Sequence, residues 1–133
     1  MIGSYQDLIH ETRKQTEPQR LLFVFCRAEL PEDASAEEKA AFEQGEGGAL
    51  TPVICVDKTP DEAPDFQALS EESRGTGQSW DMVFVAAMSG RGGLAPSSDE
   101  AQQPLTMMVE SIRLGHIGNY LPLNNQGKAV SLD

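Results

Sequence analysis

The chain has 133 residues, 39% of them hydrophobic, which is enough apolar material to build a core. Its 21 acidic residues against 10 basic ones leave a net charge of −11. That charge repels nucleic acid and anionic membrane surfaces over long range, and excludes both as expected partners.

The charge is concentrated. Thirteen acidic residues and only two basic ones, Lys39 and Lys58, lie between Ala28 and Glu72, so that segment carries the excess of the whole chain. It reads either as solvated helix faces or, more sharply, as a docking surface for a basic protein partner. The first twenty residues include Asp7, Glu11, Arg13 and Lys14 and offer no apolar signal core. No apolar run approaches the ~20 residues of a membrane helix. The expectation is a cytoplasmic protein with one domain over residues 1–133.

In chain order, Ser4 to Gln15 predicts a helix, with Tyr5, Leu8, Ile9 and Thr12 at helical spacing and Ser4 and Asp7 at capping-box positions. "LLFVFC", Leu21 to Cys26, predicts a strand buried on both faces. Ser35 and Glu38 form a capping box for a second helix, Ala36 to Gln44, stopped by Gly45. Only Ala40, Ala41 and Phe42 are candidates for its inner face, so it is expected at the surface.

"LTPVICVD", Leu50 to Asp57, predicts a second strand, with Pro52 near its start. A third helix is expected from about Asp61, with Phe66 and Leu69 inward, ending at Gly75 and Gly77. "DMVFVAAM", Asp81 to Met88, predicts a third strand, with Trp80 as a packing anchor at its entry. A fourth helix opens either at Ser97, with Glu100 completing a capping box, or with Pro104 in its first turn. Leu105, Met108, Val109 and Ile112 form its apolar stripe, Met107 is read with Met108 as packing, and Gly115 stops it. Two short apolar runs around Asn124–Gly127 predict a terminal hairpin.

This alternation predicts an α/β sandwich: a mixed, partly parallel sheet flanked by helices, with a C-terminal β-hairpin. The third helix suits a crossover that makes the second and third strands parallel, with their carboxyl ends at one edge of the sheet. The direction of the first strand stays open. A parallel first strand brings Arg27 to that edge, and an antiparallel one sends it to the other end.

The candidate ligand site is this edge: Asp57, Lys58 and Thr59 from one loop, Ser89, Gly90, Arg91, Gly92 and Gly93 from the other. Glycines let backbone approach a ligand closely, and Arg91 offers a planar fork for phosphate or carboxylate. Lys58 adds a second positive charge, and Asp57 is placed to act as a base. Two readings of Ser-Gly-Arg-Gly-Gly fit, a plain turn or a loop for a small anionic ligand. It lacks the Lys-Ser/Thr ending of a P-loop, and Ala95 takes the last place of a Gly-x-Gly-x-x-Gly pattern.

Other chemistry is missing. His10 and His116 have no metal-ligand spacing, and no Cys-x-x-Cys or Gly-x-Ser-x-Gly occurs. No catalytic constellation, metal or cofactor is expected. Cys26 and Cys55, within apolar runs, read as buried reduced thiols. A disulfide between them needs neighbouring strands in register.

"EPQRLLFVF", "EGGALTPVICVDKTP" and "WDMVFVAAMSGRGG" resemble a family of small uncharacterised bacterial proteins over nearly the full length. Members of that family often carry the name ribonucleotide reductase subunit alpha. The resemblance implies a bacterial cytosolic setting. The chemistry of that name does not carry over, because two cysteines in separate strands cannot supply three redox-active thiols, and there is no room for a barrel. The expected function is a non-enzymatic accessory or regulatory binding module with an acidic interaction surface. An uncovered edge of the terminal hairpin is a candidate contact for a homodimer. The alternative is a protein or enzyme binding a phosphate- or carboxylate-bearing metabolite at the two loops.

Overall fold

The computed structural model describes residues 2–30, 32–43 and 49–131. The elements are α1 (Tyr5–Arg13), β1 (Gln19–Glu29), α2 (Ala36–Glu43), β2 (Ala49–Lys58), α3 (Phe66–Arg74), β3 (Met82–Ser89), α4 (Ser98–Arg113) and β4 (Leu121–Asn124). The strands form one sheet in the order β2-β1-β3-β4, and every neighbouring pair is antiparallel.

The α/β class holds, but the expected partly parallel sheet does not. A parallel neighbour requires a connection that crosses the sheet and packs on it. Among the described residues, the connection from β1 to β2 holds one helix, α2, which buries none of its residues. It is therefore a detour off the sheet, and β2 returns beside β1 in reverse. α3 does bury Leu69, Ser70 and Ser73 and leads from β2 to β3. Yet β1 lies between those strands, so β2 and β3 share a direction without touching. Gly45, read as the stop of α2, lies outside the described residues.

β1 explains its own composition. Leu21, Phe23 and Phe25 face Tyr5, Leu8 and Ile9 of α1 and Leu69 of α3. Leu22, Val24 and Cys26 face Leu105, Met108 and Ile112 of α4. A strand covered on both sides needs an unbroken apolar run. Trp80 fills the edge of the first core, its ring 4.9 Å from that of Phe25 and its Nε1 donating to Ser73 Oγ at 2.7 Å. The Tyr5 hydroxyl donates to the Ala63 carbonyl at 2.6 Å.

α4 starts at Ser98, capped by Ser97 with both halves of the capping box to Glu100, so Pro104 lies inside the helix. Its missing N–H leaves the Glu100 carbonyl without that helical partner. Leu105, Met108 and Ile112 are buried, each contributing about 1.5–3 kcal/mol by burial. Met107 instead points outward, 61% exposed, against its reading as packing.

The terminal hairpin forms as β4, a turn at Asn124–Gly127, and a return that bridges Ala129 to Leu123. Its outer side is not open. Ser4 bridges Lys128, Ala129 N donates to Gly3 O at 3.0 Å, and Tyr5 N donates to Gly127 O at 2.8 Å. Among the described residues nothing pairs with the outer side of β2, which is the open edge of the sheet.

Candidate functional site

Because β2 and β3 share a direction, their carboxyl ends do meet at one end of the sheet, with the start of β1 between them. Arg27 goes to the opposite end, where it bonds Gln78 and Ser79. Arg20 takes its place, one residue before the apolar run. Arg20 Nη1 donates to Asp57 Oδ2 at 2.7 Å and Arg20 Nε donates to the Pro96 carbonyl at 2.6 Å. Ser98 Oγ donates to Asp57 Oδ1 at 3.1 Å. The two ionic side chains are only 14% and 11% exposed. This pair joins β1, β2 and the start of α4.

Lys58 follows Asp57 on a strand and so points to the other face. There its Nζ meets Glu72 of α3 at 2.7 Å. Thr59 donates its N–H to Glu62 at 2.9 Å and its hydroxyl to the same oxygen at 3.1 Å. These bonds, the backbone one foremost, hold the Glu62 carboxyl below its usual pKa range. They close a turn over residues 59–62, so α3 begins only at Phe66, capped by Asp65, and not at Asp61.

The glycine loop is a two-residue hairpin turn. Arg91 N donates to Leu94 O and Leu94 N to Arg91 O, both at 3.0 Å. Gly92 and Gly93 between them have φ of 58° and 83°, the pair of left-handed residues such a turn requires. Gly90 N donates to Pro18 O at 2.8 Å, and a Cβ there would collide with the Leu94 carbonyl. Ser89 Oγ accepts from Gln19 Nε2 at 3.1 Å. A further amide of the loop, Gly93 N, donates to the Glu17 carboxylate at 2.9 Å. The loop does hold an anion, and the anion belongs to this chain. The Arg91 side chain is exposed.

A groove of about 380 Å³ runs beside this end, walled by Thr12, Arg13, residues 15–19, Thr59, Pro60, Asp61 and Ala95. Of the eight candidates only Thr59 lines it. Lys58 and Arg91 do not converge there.

No family model matches the chain, and no curated protein or solved structure matches it. The functional reading rests on geometry alone. Among the described residues no three His, Cys, Asp or Glu side chains are grouped to hold a metal ion, and no helix is long and apolar enough to cross a membrane.

Arg20, Glu17 and Ser98 are the contacts that sequence reasoning did not single out. Arg20 was within reach: an antiparallel first strand that sends Arg27 away must bring the residue at its start to the Asp57 edge.

The acidic segment flanks β2 on both sides in the chain. Asp57 and Glu62 pair with Arg20, Asp61 with Arg13, Glu29 with Arg27 and Glu72 with Lys58. Glu32, Asp33, Glu37, Glu38, Glu43, Asp65 and Glu71 are exposed and make no ion pair among the described residues.

The backbone of β2 is half used. Asp81 N bonds Cys26 O and Gly90 N bonds Pro18 O, so even-numbered residues along β1 direct their backbone groups toward β3. Odd-numbered Leu21, Phe23 and Phe25 therefore serve β2, opposite Lys58, Val56 and Ile54. Cys55 and Asp57 turn their N–H and C=O to the open side. Cys55 is exposed, contrary to its reading as a buried thiol, and both cysteines are free.

Proposed function

We propose that this protein is a non-catalytic accessory module that docks a basic protein partner on the surface formed by α2, the β2 edge and α3. The observation that carries this reading is the set of exposed carboxylates in the 28–72 segment that make no ion pair among the described residues. A domain gains nothing in stability from crowding like charges on one stretch, whereas a cationic partner gains on-rate and register from them. Of the groups that would otherwise favour a small anionic ligand, Lys58 and Gly93 N already hold carboxylates of this chain, and Arg91 stands exposed and apart from Lys58. A metabolite at the two loops would have to displace Glu17 from Gly93 and Glu72 from Lys58.

The test is fluorescence anisotropy with a labelled lysine-rich peptide across a salt series. Binding is expected at low salt and is expected to weaken as salt rises. The triple change Glu32→Lys, Glu37→Lys, Glu43→Lys is expected to weaken it about tenfold or more, at a few tenths to one kcal/mol per exposed pair. Absence of binding at low salt, or equal binding by the triple variant, would overturn the reading.

A further inference from the structure

We propose that the basic partner binds as an extended segment, adding a fifth strand to the sheet along the Ile54–Lys58 half of β2. This rests on the acidic docking surface described above and names what fits it. The N–H and C=O groups of Cys55 and Asp57 face away from β1, have no partner off the sheet among the described residues, and make a template for another chain. Natural edges are blunted by proline, bulges or lysine. Here those devices sit elsewhere. Pro52 and the register shift opposite Phe25/Cys26 protect the first half of the strand, and Lys58, at the far end, is held by Glu72. Ile54 to Asp57 carries none of them.

Charge selects the occupant. A second copy pairing edge to edge would set two acidic 28–72 segments against each other, which like-charge repulsion opposes. A strand of alternating lysine and apolar residues has the opposite sign and the right period.

The experiment is residue-resolved amide hydrogen exchange on the intact chain, with two end-capped peptides of equal charge. One alternates lysine and valine, and the other alternates lysine and proline and cannot pair as a strand. The lysine–valine peptide is expected to slow exchange at Cys55 and Asp57 by about tenfold or more at saturation, leaving Ile54 and Val56, already in the ladder, unchanged. The lysine–proline peptide is expected to protect neither amide. Cys55→Pro removes only an outward N–H, which an edge strand tolerates, and is expected to abolish the protection at Asp57. Binding of both peptides without protection at these amides would overturn strand addition while leaving the acidic surface standing. Binding of neither would overturn both readings. Protection of Cys55 and Asp57 in the peptide-free protein that is lost on dilution would assign the edge to a second copy and overturn the proposal.

Discussion

Glu17 lies with its carboxylate 2.9 Å from the backbone nitrogen of Gly93, filling from within the chain the place where an external anion would sit. The loop that most resembles a ligand site thus closes the end of the sheet. Its glycines serve the turn. Gly92→Ala places a side chain at positive φ and is expected to cost about 1–2 kcal/mol. Gly90→Ala drives a Cβ into the Leu94 and Pro18 carbonyls and is expected to cost clearly more, although its φ is ordinary. Urea unfolding of both variants checks the order, and equal losses would contradict the close approach at Gly90.

Arg20 and Asp57 form a largely buried pair with further bonds from Ser98 and to Pro96. Asp57→Ala leaves a guanidinium without its carboxylate and is expected to destabilise the fold by about 3 kcal/mol. The double change Arg20→Met, Asp57→Leu removes both charges and is expected to recover much of that loss. A double variant no more stable than Asp57→Ala would show that Arg20 holds the fold through Pro96 instead.

The two thiols differ in access. Cys55 is expected to react with iodoacetamide in the folded protein, and Cys26 only after denaturation, as intact-mass analysis would count. Burial pushes the Cys26 thiol up to about 12 from an ordinary value of 9.0. Between those values the unfolded chain releases this proton and the folded chain keeps it. Stability contributed by the neutral thiol is therefore complete below pH 9 and falls as pH rises toward 12. Cys26→Ala should flatten that part of the profile while lowering stability at neutral pH.

Glu62 shows the opposite sign. Its carboxyl is held low by the Thr59 amide, so the folded chain binds its proton less readily than the unfolded one. Its contribution is present above the ordinary glutamate value of about 4.3 and is lost as pH falls through the lower folded value. Acid titration of wild type and Glu62→Gln, followed by circular dichroism, is expected to show a shallower acid limb in the variant. Identical limbs would remove Glu62 from the account.

Much of the fold was legible from local pattern. The unbroken run Leu21–Cys26 required a strand covered on both faces. Ser97 with Glu100 and Ser35 with Glu38 marked two helix starts, and the stripe Leu105, Met108, Ile112 marked a buried face. These signals are short-range, carried by side-chain period and by caps that satisfy nearby backbone groups. The acidic segment from Ala28 to Glu72 was equally plain, since charge can be counted without coordinates.

Pairing was decided only in three dimensions. The poor apolar face of α2 was visible, but only the folded chain shows that β2 consequently returns antiparallel, bringing Arg20 to Asp57 and leaving Cys55 on an open edge. The partners of the candidate loops were hidden for the same reason. Glu17 is 76 residues from Gly93, and Arg20 is 37 from Asp57. Local composition shows which groups can bond. Which of them do so depends on strand order and register, set by the burial of both sheet faces together.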